Sequence, residues 1–356
     1  ILLLCAYAYR AKNYIGVYTI YGIHTGHLAV YARGGFERFG FEPRRFSLSP
    51  AQQEKVLSVL KNEPSVEIFE RQIRGQGLIG NGCISLPFQA QGYEPEVDRA
   101  LRSHPEVKNW MPHFNYLLAG QGMWRYPGSV NPILLSKGLA LALGKSRLYD
   151  EIGSAPPSAP DCSNPREQGS RDSNVQLLAG AWAGTLSAAD GEVVGLYTTG
   201  FQETENSGIL APVSFLQKLF DTDRIASFSV WLKEPGKLPE VRKRLEEKLG
   251  EEFETLRWDE ERLSPYYVGT VDFLNTLVVA GALVLSSIIA LSVLNSATMT
   301  ILERSQEIGM YRSMGFRKSQ LKILYVEESL WLSLFSLFSG AAIGIDRKST
   351  RLNSSH

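Results

Sequence analysis

Gly138-Leu-Ala-Leu-Ala-Leu-Gly144-Lys145-Ser146 is the first stretch whose residue types and spacing suggest chemistry. A phosphate-cradling loop needs four residues between its glycines, then Lys and Ser or Thr. Here five residues intervene, and they are helix formers whose amide groups the helix itself would use. A nucleotide site is therefore rejected, and any ATP hydrolysis falls to another chain. His24 and His27, like His104 and His113, are close in sequence but lack Cys, Asp or Glu at metal-ligand spacing. They read as ordinary strand or loop histidines. The carboxylates form no recognisable acid/base pair; Glu246, Glu247, Glu251 and Glu252 read as a solvated helix face. The glycine-rich run Gly75-Gln-Gly77-Leu-Ile-Gly80-Asn-Gly82 reads as a hairpin loop in preference to a phosphate site. No residue is assigned to catalysis, to a metal or to a cofactor, and the chain is read as not an enzyme.

The remaining chemistry is that of docking. Glu303 and Glu307 are four residues apart, so a helix would put them on one face near its start, where carboxylates are favoured. Arg304 and Arg312 fall on other turns and can pair with carboxylates or lipid phosphate. Gly309 permits close approach of another backbone, and Gly315 can end the helix. Together with Ile308 and Met310 these residues form a short charged elbow. The plainer reading is a loop with interfacial charges.

What positions this elbow is a pair of apolar runs. Residues 273–302 carry no charged side chain; as a helix they would span about 45 Å, more than the roughly 30 Å of a bilayer core. A second run covers Ser329–Ile345, and Leu321, Ile323, Leu324, Tyr325 and Val326 extend its apolar character inward, with Glu327 and Glu328 between the two halves. Between the runs Arg304, Arg312, Arg317, Lys318 and Lys322 outnumber Glu303 and Glu307, the mark of a cytoplasmic loop. Everything from about Arg10 to the first run is then extracytoplasmic. Both ends read as cut: residues 1–9 as the end of an earlier span, and 346–356 as a polar, non-native tail.

The 356 residues carry no net formal charge, which argues against a nucleic-acid binder. Of the three cysteines, Cys83 and Cys162 could pair in an oxidising compartment; two unpaired thiols are the plainer expectation.

Residues 10–268 read as one mixed α/β region. Strand, helix and strand follow one another at Gly26–Ala32, the segment from Ser49-Pro50, and Val66–Phe69. The same order recurs at Ala226–Leu232, Pro239–Gly250 and Phe253–Trp258. Two βαβ-like units predict a sheet with helices on one face. Further strands are expected at Cys83–Gln91, Val175–Ala183 and Val193–Thr199, a strand running into a helix at Ile133–Leu143, and a flexible loop at 153–174.

The stretch Thr300-Ile-Leu-Glu303-Arg304-Ser-Gln-Glu307-Ile308-Gly309-Met310-Tyr311-Arg312-Ser313-Met314-Gly315 resembles the signature after the second span of FtsX/MacB-type ABC permeases. That signature is a Glu-Arg pair, then Glu-Ile-Gly, then a Leu-Arg-Ala-Leu-Gly-like segment; Tyr311 and Ser313 depart from it. Thr25–Val30, Val193–Phe201 and Glu327–Leu330 resemble segments of the lipoprotein-releasing LolC/LolE-like members. The resemblance implies an α+β protein: membrane helices at 271–300 and 321–345, a cytoplasmic coupling segment at 301–319, and a MacB-like periplasmic core. It implies a multi-pass inner-membrane subunit that dimerises with a like or unlike permease, contacts membrane lipids and docks on an ABC ATPase carrying ATP and Mg. Its outer domain would act on lipoproteins, lipids or exported molecules, with a lipoprotein or efflux accessory protein as a further partner. The competing readings are an FtsX-like regulator of cell-wall hydrolases, a membrane-anchored sensor or adhesion domain, and a soluble enzyme.

Overall fold

The computed structural model describes residues 2–112, 117–120, 122–125, 131–145, 173–198, 200, 202–323, 326–327, 330–331 and 333–336. They form two compact units, residues 12–270 and the flanking helical segments. The expected loop at 153–174, Cys162, His113 and the tail at 346–356 lie almost wholly outside the described residues, as does much of the second apolar run.

Within residues 12–270 the described strands are β1 (Leu28–Ala32), β2 (Val66–Gly80), β3 (Ser85–Tyr93), β4 (Leu117–Gly120), β5 (Pro132–Ser136), β6 (Asn174–Gly180), β7 (Leu186–Tyr197), β8 (Gly208–Pro212), β9 (Ser227–Leu232) and β10 (Phe253–Arg257). They build two lobes on one long strand, β2.

The first lobe has the order β10-β1-β9-β2, with every neighbour antiparallel. Its connections are the helices expected from sequence. One, Pro50–Lys61, starts with a complete capping box between Ser49 and Gln52 and buries Val56 and Leu60. The other, Leu238–Leu249, buries Leu238, Val241, Leu245 and Leu249 at helical spacing and stops at Gly250, whose φ is 84°. Each such side chain taken from water contributes about 1.5–3 kcal/mol. The two βαβ units therefore interlock, each strand pair admitting a strand of the other, in a split βαβ arrangement. The helices were expected on one face only. The opposite face is covered too, by Val17, Ile20, Tyr21, Leu101 and Val107 around Trp231, which leaves β1 and β9 buried throughout.

The second lobe is a closed ring. β2 pairs β3, β3 pairs β8, β8 pairs β5, β5 pairs β7, β7 pairs β6, and β6 returns to β2. Ile79, Phe88, Ile133, Val175, Val193 and Ile209 are among its buried side chains. Closure explains the glycine-rich run. It is not a hairpin loop: β2 extends to Gly80, and only residues 81–84 turn, with Asn81 Oδ1 accepting from the Cys83 and Ile84 amides. Gly77 sits where β6 closes on β2, and a Cβ there would lie 2.4 Å from the Leu178 carbonyl oxygen. Cys83, within this turn, is disulfide-bonded, which corrects the expectation of an unpaired thiol, while Cys5 is free and exposed. Of the rejected phosphate loop, residues 138–142 belong to the helix Lys137–Ala142 that follows β5 and 143–145 to the turn after it, with the Leu143 and Lys145 amides bonded to Leu139 and Ala140.

In the other unit, α1 (Leu2–Val17) contributes its first residues beside α2 (Pro265–Glu303). α2 is 39 residues long and apolar enough to cross a membrane; it is the one such helix among the described residues. Thr276, Ser287, Thr298 and Thr300 each donate to the carbonyl four residues earlier, so these hydroxyls need no water. Gly281 lets Leu4 approach; a Cβ there would be 2.9 Å from Leu4 Cδ2. Described residues of the second apolar run are helical at 321–323, 326–327, 330–331 and 333–336.

Candidate functional site

The elbow named from sequence is built from two helices that meet at one residue. Glu303 is the last residue of α2, and α3 (Ser305–Ser313) follows at once. Arg304 is the junction: its backbone (φ −89°, ψ 13°) departs from the helix, yet its amide bonds Thr300 O at 3.0 Å and its carbonyl accepts from Ile308 N at 3.0 Å. The helix is therefore bent, not interrupted. Glu307, Ile308, Gly309, Met310 and Arg312 lie on α3. A six-to-one bond from Phe316 N to Tyr311 O and a second from Gly315 N to Arg312 O close its end, with Gly315 at φ 92°. The Tyr311 and Phe316 rings meet edge to face 5.7 Å apart, the apolar contact of a Schellman ending.

Glu303, Glu307, Gly309, Met310, Arg312 and Gly315 are exposed, and Arg304 and Ile308 are half-buried. A Cβ at Gly309 would meet nothing within 4 Å, so that face is open. Sequence reasoning missed part of this surface: Met314 and Phe316 are also largely exposed and extend the apolar edge begun by Met310. Met310 and Met314 stand four residues apart, which places them one turn from each other along the helix end. The segment thus offers carboxylates, guanidinium groups and adaptable thioethers together.

A second arrangement was hidden in the sequence. His24, called an ordinary histidine, sits at the centre of a buried ionic cluster in residues 12–270. Its Nδ1 is 2.7 Å from Glu70 Oε1 and its Nε2 3.0 Å from Asp98 Oδ1. Asp98 also accepts from Arg102 at 2.5 Å. His24 adopts φ 60°, rare for a side-chain-bearing residue. Its carbonyl accepts from Gln72 Nε2 at 2.5 Å and Ser229 Oγ at 2.8 Å, and its ring stacks on Tyr93 at 3.8 Å. His24 comes from residues 18–25 at the root of α1, a helical turn (Tyr18–Gly22) and the loop after it; Glu70 comes from β2, and Asp98 and Arg102 from the helix Pro95–Arg102. Spacings of 46 and 74 residues give no sequence signal. Among the described residues no group of His, Cys, Asp and Glu could hold a metal.

Two cations and two anions balance in this cluster. Burial disfavours charge on His24, but the Glu70 carboxylate and the hydrogen bonds to Asp98 and Glu70 outweigh it and raise its pKa to about 9. Burial alone would raise Asp98, yet Arg102 and His24 hold it down at about 2. Burial also raises Glu70, so Glu70 and His24 compete for one proton; the charge balance favours imidazolium. A folded-state pKa above the unfolded value of about 6.5 gives stability that is complete below pH ~6.5 and lost as pH rises toward ~9. The apparent melting temperature should therefore fall over that window, by the equivalent of about 3 kcal/mol at most. The His24→Gln variant should start lower and show a flatter profile. Parallel profiles for the two proteins would show that His24 is not protonated in the folded state.

Comparison with known proteins bears on the helical unit most directly. Residues 279–345 match the family model described as FtsX-like permease C-terminal, and so include the elbow. An uncharacterised ABC transporter permease of Methanocaldococcus jannaschii is 30% identical over 160 residues, 43% of this chain and 39% of the relative. The chain thus spans about two fifths of the length of that curated relative. The extracellular domain of the ABC-type transporter YknZ from Gram-positive bacteria aligns over 58% of this chain and 88% of its own, at 13% identity and a TM-score of 0.34. The periplasmic region of MacB from Actinobacillus actinomycetemcomitans aligns over 65% and 88%, at 11% identity and a TM-score of 0.39.

Proposed function

We propose that this chain, an ABC transporter permease of the FtsX/MacB type, receives the work of a separate ATPase at α3 and passes it through α2 to residues 12–270. The observation that carries the reading is the exposed elbow at the end of a 39-residue apolar helix. A rigid helix of that length, about 58 Å at 1.5 Å per residue, outreaches a bilayer core of about 30 Å. Motion at one end is then available at the other without a flexible joint. Glu307 and Arg312 supply a charged docking face, Met310, Met314 and Phe316 an apolar edge, and Gly309 room for a partner's backbone.

The basic excess after α2 supports a cytoplasmic elbow, and the disulfide at Cys83 supports an oxidising, extracytoplasmic setting for the two-lobed region. The reading extends to an inner-membrane, multi-pass protein with a second permease as partner, and lipoproteins, lipids or exported molecules as the load. It leaves ATP and Mg to the ATPase.

Co-purification of the tagged permease from its own cells is the test. Recovery of the ATPase, and ATP turnover by the complex, should fall at least tenfold for Glu307→Lys and for Gly309→Trp. Undiminished recovery with both variants, or no ATPase with the parent protein, would refute coupling at α3.

A further inference from the structure

Within residues 12–270 a cleft of about 850 Å³ opens between the root of α1 and strands β2, β3 and β8. That volume lies in the range of small-molecule sites. The charged side chains lining it are Arg74 and Arg102, with no acidic residue among the described lining. Arg102 is committed to Asp98. Arg74 is exposed on β2 and has neither an ion pair nor a side-chain hydrogen bond among the described residues. Strand register sets it opposite Gln91 and sets Gln76 opposite Gln89, so one face of the hairpin gathers a guanidinium and three amides.

Two further features narrow the ligand. On the side away from β3, β2 pairs β9 as far as Gln72 and β6 from Gly77 onward. Among the described residues the backbone edge at 74–76 has no strand partner on that side, and it lines the cleft. Such an edge accepts amide groups. Phe39 and Trp182 also line the cleft, their rings edge to face 5.2 Å apart, and offer an aromatic wall. Tyr18 lines it as well.

We propose that this cleft binds a carboxylate-bearing ligand with amide groups and an aromatic or apolar body, as in a short peptide. Arg74 holds the carboxylate, the free edge of β2 meets the amides, and Phe39 and Trp182 take the body. The site adjoins the buried cluster, since Tyr93 and Arg102 belong to both. This inference does not rest on ATPase docking at α3.

N-acetyl-phenylalanine and its neutral carboxamide form the matched probe pair, titrated calorimetrically into the full chain in lipid nanodiscs. The acid should bind about tenfold more tightly than the amide, because a charge-assisted bond is replaced by a neutral one. Arg74→Gln should abolish that preference, Arg74→Lys should retain part of it, and Arg45→Gln, which changes an exposed arginine outside the lining, should leave it intact. Equal affinity for the two probes, no saturable binding of the acid, or a preference that survives Arg74→Gln would overturn the proposal.

Discussion

Asp98→Ala is expected to destabilise residues 12–270 by about 3–5 kcal/mol, the cost of breaking a buried ion pair from one side. The substitution removes the shared acceptor of Arg102 and His24 and leaves a buried imidazolium facing only Glu70. Against a typical domain stability of about 5–15 kcal/mol, this is enough to deplete the folded protein at 37 °C. Asp98→Asn should recover part of the loss, because its amide oxygen still accepts from His24 Nε2. Chemical denaturation of the full chain in detergent, followed by tryptophan fluorescence, measures both. A loss under about 1 kcal/mol for the alanine variant would mean that the cluster is not a net source of stability. That outcome would also undercut the pH profile expected of His24.

Gly77→Val should rival that effect by a different route. A Cβ at Gly77 would be 2.4 Å from the backbone oxygen of Leu178 and 2.9 Å from the Phe88 ring. A side chain can rotate away, but the Leu178 carbonyl belongs to β6, which closes the ring on β2. Relief therefore requires opening the ring, at a cost of about 3 kcal/mol or more. Gly180→Ala provides the contrast. That position is also a glycine, at the end of β6, yet a Cβ there meets nothing within 4 Å. Its effect should stay within about 0.5 kcal/mol. Similar effects of the two substitutions would mean that the close strand approach at Gly77 is not what requires glycine there.

These two positions mark where the sequence was legible and where it was not. Helix Leu238–Leu249 was readable because Val241, Leu245 and Leu249 repeat at the helical period and Gly250 ends it. Helix Pro50–Lys61 was readable from Ser49-Pro50. Periodicity is local, and it served where the structure is local. The interlocking of the two βαβ units depends on β9 sliding between β1 and β2, a pairing across more than a hundred residues that no pattern in either strand announces. The glycine run was misread for the same reason. Glycine in sequence signals a missing side chain; whether a turn or a neighbouring strand exploits that space is decided by β6, far along the chain. At the elbow the residue types were legible because α2, the bend and α3 are contiguous. The exposed Met314 and Phe316 lay just beyond the motif and were passed over. The His24 cluster and the cleft around Arg74 were invisible, since their members converge only after both lobes have formed.

The path of the chain through those lobes has a consequence of its own. The first lobe is discontinuous: after Gln72 the chain departs, builds the entire ring, and returns at Ala226, whose amide bonds the Gln72 carbonyl at 2.8 Å. The ring is thus an insertion into the first lobe, and the same inserted stretch also covers that lobe: Leu101 and Val107 pack around Trp231, and Asp98 and Arg102 complete the His24 cluster. Insertion and frame are therefore bound to change together where they meet, because the frame's buried histidine takes one of its two carboxylates from the inserted stretch.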